Sequence, residues 1–245
     1  MTPVDVSVII PAIDEAANLP AAIQSALANG AGEVIVCDGG SRDATRQLAQ
    51  QAGAKVIESE RGRGTQLRQG AQFASGAMLL FLHADNRLDD GCLNELCRCV
   101  RLRGTAEQGQ CAGSETTVGS PPSLLLWGGF RQRIDATALG FRLLEWGNAS
   151  RIRYRGMPFG DQAMFVTRQL YDQVGGFQPL PLLEDVVLAQ SLRRICWPIL
   201  VDHTVQVDAR RWQKRGIVRQ TLRNWGIQLA HWSGVSESRL ASWYR

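Results

Sequence analysis

The N-terminal part of the chain alternates short runs of Val, Ile and Leu with longer segments of helical periodicity. The run Val6–Ile10 is rich in Val and Ile and is closed by Pro11, a pattern typical of a parallel strand that is covered on both faces. The same pattern predicts three further strands, over Glu33–Cys37, Lys55–Glu58 and Ala77–Leu82. The intervening segments predict helices over residues 18–29, 43–51 and 65–74, the first of which should end where Gly30 can adopt the left-handed conformation.

This alternation of strand and helix predicts an α/β fold. The connections are too long for hairpins, so we expect a twisted, mainly parallel sheet with helices on both faces. The C-terminal part is less regular, and there we predict a polar loop over Gly104–Pro122 followed by a helix over Leu124–Tyr154. The remaining predicted elements are a strand over Ala163–Thr167, a helix over Glu184–Ile195, a strand over Ile199–Val207 and a final helix over Ile217–Trp232.

Length and composition indicate one globular domain over residues 1–245. The 245 residues are 44% hydrophobic and 20% charged, which is enough to build a sizeable core. The formal net charge of +4 is compatible with an anionic ligand but too small to indicate a nucleic-acid partner.

Several absences bear on cellular location. The six cysteines lack the paired spacing of a zinc site, and the N-terminus lacks the basic and apolar regions of a signal peptide. No apolar run approaches the ~20 residues that a membrane-spanning helix needs. We therefore expect a cytoplasmic protein with reduced cysteines, and any contact with the inner face of the membrane should be peripheral.

Carboxylates follow three of the predicted strands. The segments Pro11–Glu15, Asp38–Asp43 and His83–Asn86 each come directly after a strand, and parallel strands end at the edge of the sheet where ligands bind. The segment Asp38–Asp43 also contains two glycines that allow a ligand to approach the backbone, although it matches neither the dinucleotide nor the P-loop motif. Its residues either hold a nucleotide or cap the helix that follows.

The end of the fourth strand offers two candidate metal ligands. Asp85 supplies carboxylate oxygens, which hard divalent cations prefer, whereas His83 is a more natural ligand for Mn²⁺ than for Mg²⁺. In the alternative interpretation, Asp85 caps the next helix and His83 packs at the end of the strand.

Two acids, Glu184 and Asp185, begin a predicted apolar helix. One of them is a candidate general base, although acids are also favoured at this position by the helix dipole alone. Upstream, the turn predicted at Gly175-Gly176-Phe177 would bring this helix close to the strand ends.

These motifs occur together in the order of a known family. The segments Ser7–Glu15, Val36–Asp43, Phe81–Asp85, Val174–Phe177 and Glu184-Asp185 together resemble family 2 glycosyltransferases of the GT-A fold over nearly the whole chain. The resemblance implies an inverting glycosyltransferase that moves a sugar from a nucleoside-diphosphate sugar to an acceptor hydroxyl, with Mg²⁺ or Mn²⁺ as cofactor. It also implies a nucleotide-sugar-binding half in residues 1–100 and an acceptor-binding half in residues 101–245.

The resemblance assigns catalytic and metal-binding roles to four residues. Asp185 should be the general base, with Glu184 in support, and Asp85 should hold the metal and the diphosphate. His83 stands where the family usually has the first Asp of an Asp-x-Asp motif, and this departure leaves the identity of the metal open.

Further residues are implied to contact the donor. The nucleotide pocket is assigned to Pro11, Glu15, Asp38 and Asp43. Arg63 and Arg68 are candidates for phosphate contacts, with a solvated helix face as the alternative, and Arg211 and Trp212 resemble the end of a downstream family motif.

Three further motifs resemble one subgroup of this family. Gly160–Gln162, Leu183–Asp185 and Ala209–Trp212 look most like a small bacterial subgroup of arsenosugar biosynthesis glycosyltransferases.

The last helix carries an apolar stripe with a cationic border, which suits packing on this domain or on a second subunit, or contact with an anionic membrane. The alternative function is a non-catalytic nucleotide-sugar-binding or interaction protein of the same fold.

Overall fold

A computed structural model describes residues 1–110, 124–180 and 182–209, together with Gly216, Gly226 and Ala230. Arg211, Trp212, most of the predicted loop at Gly104–Pro122 and, apart from Gly226 and Ala230, the predicted final helix over Ile217–Trp232 lie outside the described residues.

The strands and helices predicted for the N-terminal part are confirmed. They are β1 (Val6–Ala12), α1 (Leu19–Ala28), β2 (Glu33–Asp38), α2 (Thr45–Gln51), β3 (Lys55–Glu58), α3 (Arg63–Phe73) and β4 (Met78–Phe81). Two elements follow, β5 (Asn86–Leu88) and α4 (Cys92–Gln110). The polar loop predicted from Gly104 onwards is wrong in its first seven residues, since α4 continues through Gln110.

The second half contains a strand where we predicted the start of a helix. Its elements are β6 (Trp127–Ile134), α5 (Leu139–Arg155), β7 (Phe165–Thr167), α6 (Arg168–Gln173), α7 (Glu184–Arg193) and β8 (Ile199–Val207). The helix predicted over Leu124–Tyr154 is therefore wrong before Leu139. A Cβ at Gly128 would lie 1.9 Å from the carbonyl oxygen of Ile199, so the glycine permits the close approach of β6 to β8 that sequence periodicity does not reveal.

The eight strands of the described residues form one mixed sheet in the order β3-β2-β1-β4-β7-β6-β8-β5. The four strands β3, β2, β1 and β4 are parallel, as the alternating pattern predicts. Strand β7 then runs antiparallel to both β4 and β6, whereas β6 and β8 are parallel to each other. No helix of the described residues is both long and apolar enough to cross a membrane.

Helices cover both faces of the sheet. Alternate residues of β1 point to opposite sides: Val8 and Ile10 pack in one apolar cluster with residues of α1 and α4, and Ile9 packs in another with residues of α3 and α7. Helices α3 and α7 therefore lie on the same face of the sheet, which brings their N-terminal ends to the edge where β1 and β4 end.

A buried carboxylate stabilises the opposite edge of the sheet. Glu33 at the start of β2 accepts hydrogen bonds from the Ser7 hydroxyl (2.7 Å) and from the Ser75 backbone N–H (2.6 Å), and its other oxygen pairs with Lys55 Nζ (2.7 Å). Although burial raises the pKa of Glu33, the bonds from Lys55 and the two serines outweigh it and lower the pKa to about 2. The charged form of Glu33 therefore stabilises the fold.

Replacement of this carboxylate should change the acid sensitivity of the protein. The folded-state pKa of Glu33 lies below its ordinary value, so its contribution is complete above that value and is lost as pH falls towards 2. We expect Glu33→Gln to lower the free energy of unfolding by about 3 kcal/mol near neutral pH and by little near pH 2. Urea unfolding across this pH range measures it, with the exposed Glu58→Gln as control; an equal loss at every pH would contradict it.

Candidate functional site

A cavity of about 290 Å³ opens where β1 and β4 end. Its walls come from the loop after β1, the loop after β4 and the start of α3. The lining residues are Pro11, Ala12, Ile13, Glu15, Arg61, Gly62, Arg63, Gln66, His83, Ala84 and Asp85. Five predicted site residues, namely Pro11, Glu15, Arg63, His83 and Asp85, thus share one cavity.

The Asp38 carboxylate is fully buried and organises the turn after β2. Its oxygens accept hydrogen bonds from the Gly40 and Ser41 N–H groups (both 3.1 Å), from the Ser41 hydroxyl and from Arg46 Nε (2.5 Å). Burial raises the pKa of Asp38, but the bonds from Ser41 and Arg46 outweigh it, so the pKa falls below its ordinary value. Asp38 therefore stays ionised as a structural anion within the turn.

Asp43 connects the loop after β2 to the loop after β1. Its carboxylate accepts hydrogen bonds from the Thr45 hydroxyl and N–H and from the Ala16 N–H (3.2 Å), and these bonds lower its pKa, that from the Thr45 hydroxyl most. The Thr45 hydroxyl in turn accepts a bond from the N–H of Glu15 (2.9 Å). Neither Asp38 nor Asp43 is among the residues that line the cavity, although Asp43 holds Glu15 at its wall.

Gln66 joins the ends of two strands beneath the cavity. This buried side chain donates from Nε2 to the carbonyl oxygens of Ala12 (3.0 Å) and Cys37 (2.7 Å), at the ends of β1 and β2. One turn earlier in α3, Arg63 lines the cavity together with Arg61. Gln66 of α3 thus connects the two strands, and the segment Arg61–Arg63 contributes two positive charges to the cavity.

Helix α3 meets the segment before α7 at Gly64. A Cβ at Gly64 would lie 2.3 Å from the carbonyl oxygen of Gln178 and 3.3 Å from Cβ of Glu184, so only glycine fits this contact. Arg63 then reaches Glu184, with 3.4 Å between Nη1 and Oε1. This contact connects the cavity to the two acids at the start of α7.

Glu184 is a buried carboxyl, 2% exposed. Burial raises the pKa of Glu184 and the neighbouring Asp185 raises it further, while Arg63 opposes the shift; the net pKa lies above the ordinary value. The preceding Leu183 has a φ of 62°, a left-handed conformation that costs leucine about 1–2 kcal/mol. This strained residue sets the direction in which the two acids leave the loop.

Asp185 and His83 converge on Gly160. The Gly160 N–H donates to Oδ2 of Asp185 (2.7 Å), and a Cβ at Gly160 would lie 2.8 Å from Nε2 of His83 and 3.3 Å from Oδ2 of Asp185. The candidate base from α7 and the candidate metal ligand from the end of β4 are therefore neighbours, although 102 positions of sequence separate them.

The loop that carries Gly160 is held by Arg151 of α5. The guanidinium donates to the Met157 carbonyl oxygen (2.9 Å) and to Oε1 of Gln162 (2.8 Å), and its Cζ lies 3.5 Å from the centre of the Phe159 ring. Burial lowers the pKa of Arg151 to about 10, against the attraction of Asp161 and Asp185. Arg151 therefore stays charged at neutral pH and fixes the loop that contacts Asp185.

The donor set of the cavity suits a divalent cation that is shared with a ligand. Asp85 offers carboxylate oxygens and His83 an imidazole nitrogen on the same cavity, while the described residues contain no group of three or more acids, cysteines or histidines able to hold a metal ion by themselves. A cation bound here would need further oxygens from a diphosphate or from water, which is how Mg²⁺ is usually held at phosphate sites.

The structure also identifies residues that sequence reasoning missed. Arg61 and Gln66 line the cavity, Gly160 joins His83 to Asp185, and Arg151 holds the loop. The Arg61-Gly62-Arg63 segment and the Gly160-Asp161-Gln162 motif can be recognised in the sequence, whereas no local sequence pattern indicates a role for Gln66 or Arg151. Arg68, a predicted phosphate contact, is exposed and is not among the cavity residues.

Removal of the Arg63 charge should expose the cost of burying Glu184. In Arg63→Met the pKa of Glu184 should rise further, and a carboxyl with a raised folded-state pKa loses stability as pH rises through that pKa. We expect a deficit in unfolding free energy that is small near pH 4 and about 1–3 kcal/mol near pH 8. Chemical unfolding at several pH values measures it.

Two further variants control this measurement. Arg68→Met, on the same helix but exposed, should show no such pH dependence. Adding Glu184→Gln to Arg63→Met should abolish the growth of the deficit with pH, and a deficit that persisted unchanged in the double variant would contradict the assignment.

Sequence comparison finds a family match in the N-terminal region and two groups of relatives. Residues 7–106 match the profile of "Glycosyl transferase family 2". The chain is similar to the PGL/p-HBAD biosynthesis glycosyltransferases of Mycobacterium tuberculosis and Mycobacterium bovis, with 27% identity over 89% of this chain and 96% of theirs. It is also similar, at 38% identity over 29% of this chain and 24% of the relative, to the glycosyltransferase AglJ of Haloferax volcanii.

Solved structures share the fold. A fragment of TarS from S. aureus superposes over 85% of this chain with a TM-score of 0.59 at 18% identity, and this chain spans 61% of that fragment. Glucosyl-3-phosphoglycerate synthase from Mycobacterium tuberculosis superposes over 82% of this chain and 70% of its own length, with a TM-score of 0.52 at 20% identity. Both lie below the identity at which more than a fold can be inferred. Residues 7–106 thus match the glycosyl transferase family 2 profile, and the chain has an α/β fold of the GT-A type.

Proposed function

We propose that this protein transfers a sugar from a nucleoside-diphosphate sugar to an acceptor hydroxyl, with inversion at the anomeric carbon. The observation that carries the proposal is the convergence of Asp185 and His83 on Gly160, beside a cavity that also presents Asp85 and two arginines. A candidate base, a candidate metal site and positive charge for a diphosphate thus lie at one edge of the sheet, as the family match predicts.

The donor would occupy the cavity at the ends of β1 and β4. Arg61 and Arg63 are placed to neutralise diphosphate oxygens, and Glu15 and Pro11 line the same cavity. When bound by Asp85 and His83, Mg²⁺ or Mn²⁺ offsets the negative charge that builds on the leaving diphosphate. Support comes from the synthase named above, whose structure was determined with Mn²⁺, uridine diphosphate and glucosyl-3-phosphoglycerate.

Asp185 would act on the acceptor side. The acceptor oxygen attacks the anomeric carbon as its proton passes to the Asp185 carboxylate, while the bond from that carbon to the diphosphate breaks and its electron pair leaves with the diphosphate. Attack from the face opposite the leaving group inverts the anomeric configuration. The Gly160 N–H bond fixes Oδ2 of Asp185 during this step, and Glu184 supports the base from the buried side through its pair with Arg63.

The relatives and the motifs point to different subgroups of glycosyltransferases. The mycobacterial relatives are named for PGL/p-HBAD biosynthesis, whereas the motifs Gly160–Gln162 and Leu183–Asp185 look most like the arsenosugar biosynthesis subgroup, so membership of that subgroup stays a prediction. The cytoplasmic location and the roles of Arg211 and Trp212 also stay predictions. The replacement of the first motif Asp by His83 is the feature that favours the non-catalytic alternative, and the presence of Asp185 argues against it.

The proposal is tested by release of nucleoside diphosphate from UDP- and GDP-sugars with Mg²⁺ or Mn²⁺. We expect metal-dependent release that chelation abolishes and that Asp185→Asn lowers by about 10²–10⁴-fold, because the amide cannot take up the acceptor proton. The exposed Asp172→Asn in α6 is the matched control. Donor binding by the wild type with no release from any sugar, even with a broad set of acceptor alcohols, would favour the non-catalytic alternative.

A second prediction concerns the neighbourhood of Gly160. In Gly160→Ala the new methyl group would press on His83 and Asp185, and displacement of a reacting group by about 1 Å can cost ~100-fold in rate. We therefore expect turnover to fall by this order while thermal stability changes little. Gly147→Ala, in α5 with open space around its Cβ position, is the matched control, and unchanged turnover in Gly160→Ala would place the reacting atoms elsewhere.

A further inference from the structure

Helix α5 presents an apolar stripe to solvent. Leu139, Leu143, Trp146 and Tyr154 are 85%, 68%, 68% and 73% exposed, and their successive spacings of four, three and eight residues place them along one side of the helix. The opposite side of α5 packs through Phe141, Ala149 and Ile152. The stripe is therefore not needed to attach α5 to the domain.

The stripe continues into a basic and aromatic surface at the C-terminal end of α5. Trp197, which is 48% exposed, donates from Nε1 to the carbonyl oxygen of Arg153 (3.3 Å), and Arg193 donates to the carbonyl oxygen of Arg155 (2.7 Å) while its guanidinium lies 5.3 Å from the Trp197 ring. These arginines and Arg194 are exposed. Residues 146–155 and 193–198 contain five arginines and no acid.

We propose that this combined surface docks the protein onto an anionic phospholipid membrane. The surface is defined by Leu139, Leu143, Trp146, Tyr154 and Trp197 together with Arg153, Arg155, Arg193 and Arg194. Leucine and tryptophan enter the boundary between headgroups and acyl chains, tryptophan and tyrosine favour that boundary because their rings are amphipathic, and arginines bind lipid phosphates. This surface holds all three kinds of group, and the hydrogen bonds of Trp197 and Arg193 to the C-terminal end of α5 hold its two parts together.

The composition of the strip favours a membrane over other partners. A nucleic acid would match the arginines but would leave Leu139 and Leu143 exposed. A second copy of the chain packed through the same face would bury these arginines, for which residues 146–155 and 193–198 offer no acidic partner. An anionic lipid surface satisfies the charges and covers the apolar stripe at once.

Docking would also bear on the site. Helix α5 supplies Arg151 to the loop that carries Gly160, so a membrane held against another side of α5 would lie near the acceptor side of the site. This consequence rests on the proposed function, whereas membrane binding itself does not.

The test is co-sedimentation of the full chain with vesicles, without any donor or acceptor. We expect binding to vesicles of phosphatidylcholine and phosphatidylglycerol in equal parts, little binding to phosphatidylcholine alone, and release at high salt. The double variant Leu143→Ser/Trp146→Ser should weaken binding about tenfold or more, and Arg153→Gln/Arg194→Gln should weaken it about fivefold per charge. Phe73→Ser and Arg87→Gln, exposed residues of α3 and β5, are the matched controls.

Each other outcome overturns the proposal in a recognisable way. Wild-type protein that stays in the supernatant with anionic vesicles lacks the activity. Equal binding by wild type and both double variants would assign membrane contact to another part of the chain. Dimers that dissociate in Leu143→Ser/Trp146→Ser, without vesicle binding by the wild type, would identify the strip as a contact between copies. Failure of sugar transfer leaves the vesicle result unaffected.

Discussion

The close contact between Gly64 of α3 and the backbone at Gln178 is the constraint on which the candidate site depends. Helix α3 belongs to the parallel half of the sheet and α7 to the mixed half, and both must cover the same face. Because residue 64 has no side chain, the two helices start close enough for Arg63 to reach Glu184. A larger residue there would move Arg63 away from Glu184 and from the candidate base Asp185.

Specific partners, rather than solvent exposure, decide the direction in which the pKa of the buried carboxyls Asp38 and Glu184 shifts. Asp38 is enclosed by N–H groups, a hydroxyl and Arg46, which keep it ionised despite complete burial. Glu184 makes a weaker contact with Arg63, and its pKa rises. The contrast follows from the number of hydrogen-bond donors, since desolvation penalises both carboxyls and only sufficient hydrogen bonding reverses the effect. Acids that occupy similar positions at strand and helix ends thus have different roles.

His83 and Asp85, which line the same cavity, bear on which metal could bind there. If His83 and Asp85 hold the cation, its affinity would depend on further oxygens from a bound donor. An imidazole in place of a carboxylate also removes one negative charge from the cavity in which we propose that the diphosphate binds. His83 and Asp85 therefore favour metal binding that is coupled to donor binding. The nitrogen ligand is more compatible with Mn²⁺ than with Mg²⁺.

The sequence by itself determined the parallel half of the fold and the residues of the cavity that follow its strands. Buried parallel strands such as β1 and β2 carry continuous apolar runs, and acids directly after them, such as Asp85, must lie at the ligand-binding edge. Only the tertiary structure decided that Gly128 belongs to a strand, because its reason is the approach of Ile199 from far along the chain. The same holds for Arg151, Gln66 and the meeting of His83 with Asp185 at Gly160: each depends on contacts between distant segments, and local periodicity carries no information about the distances between them.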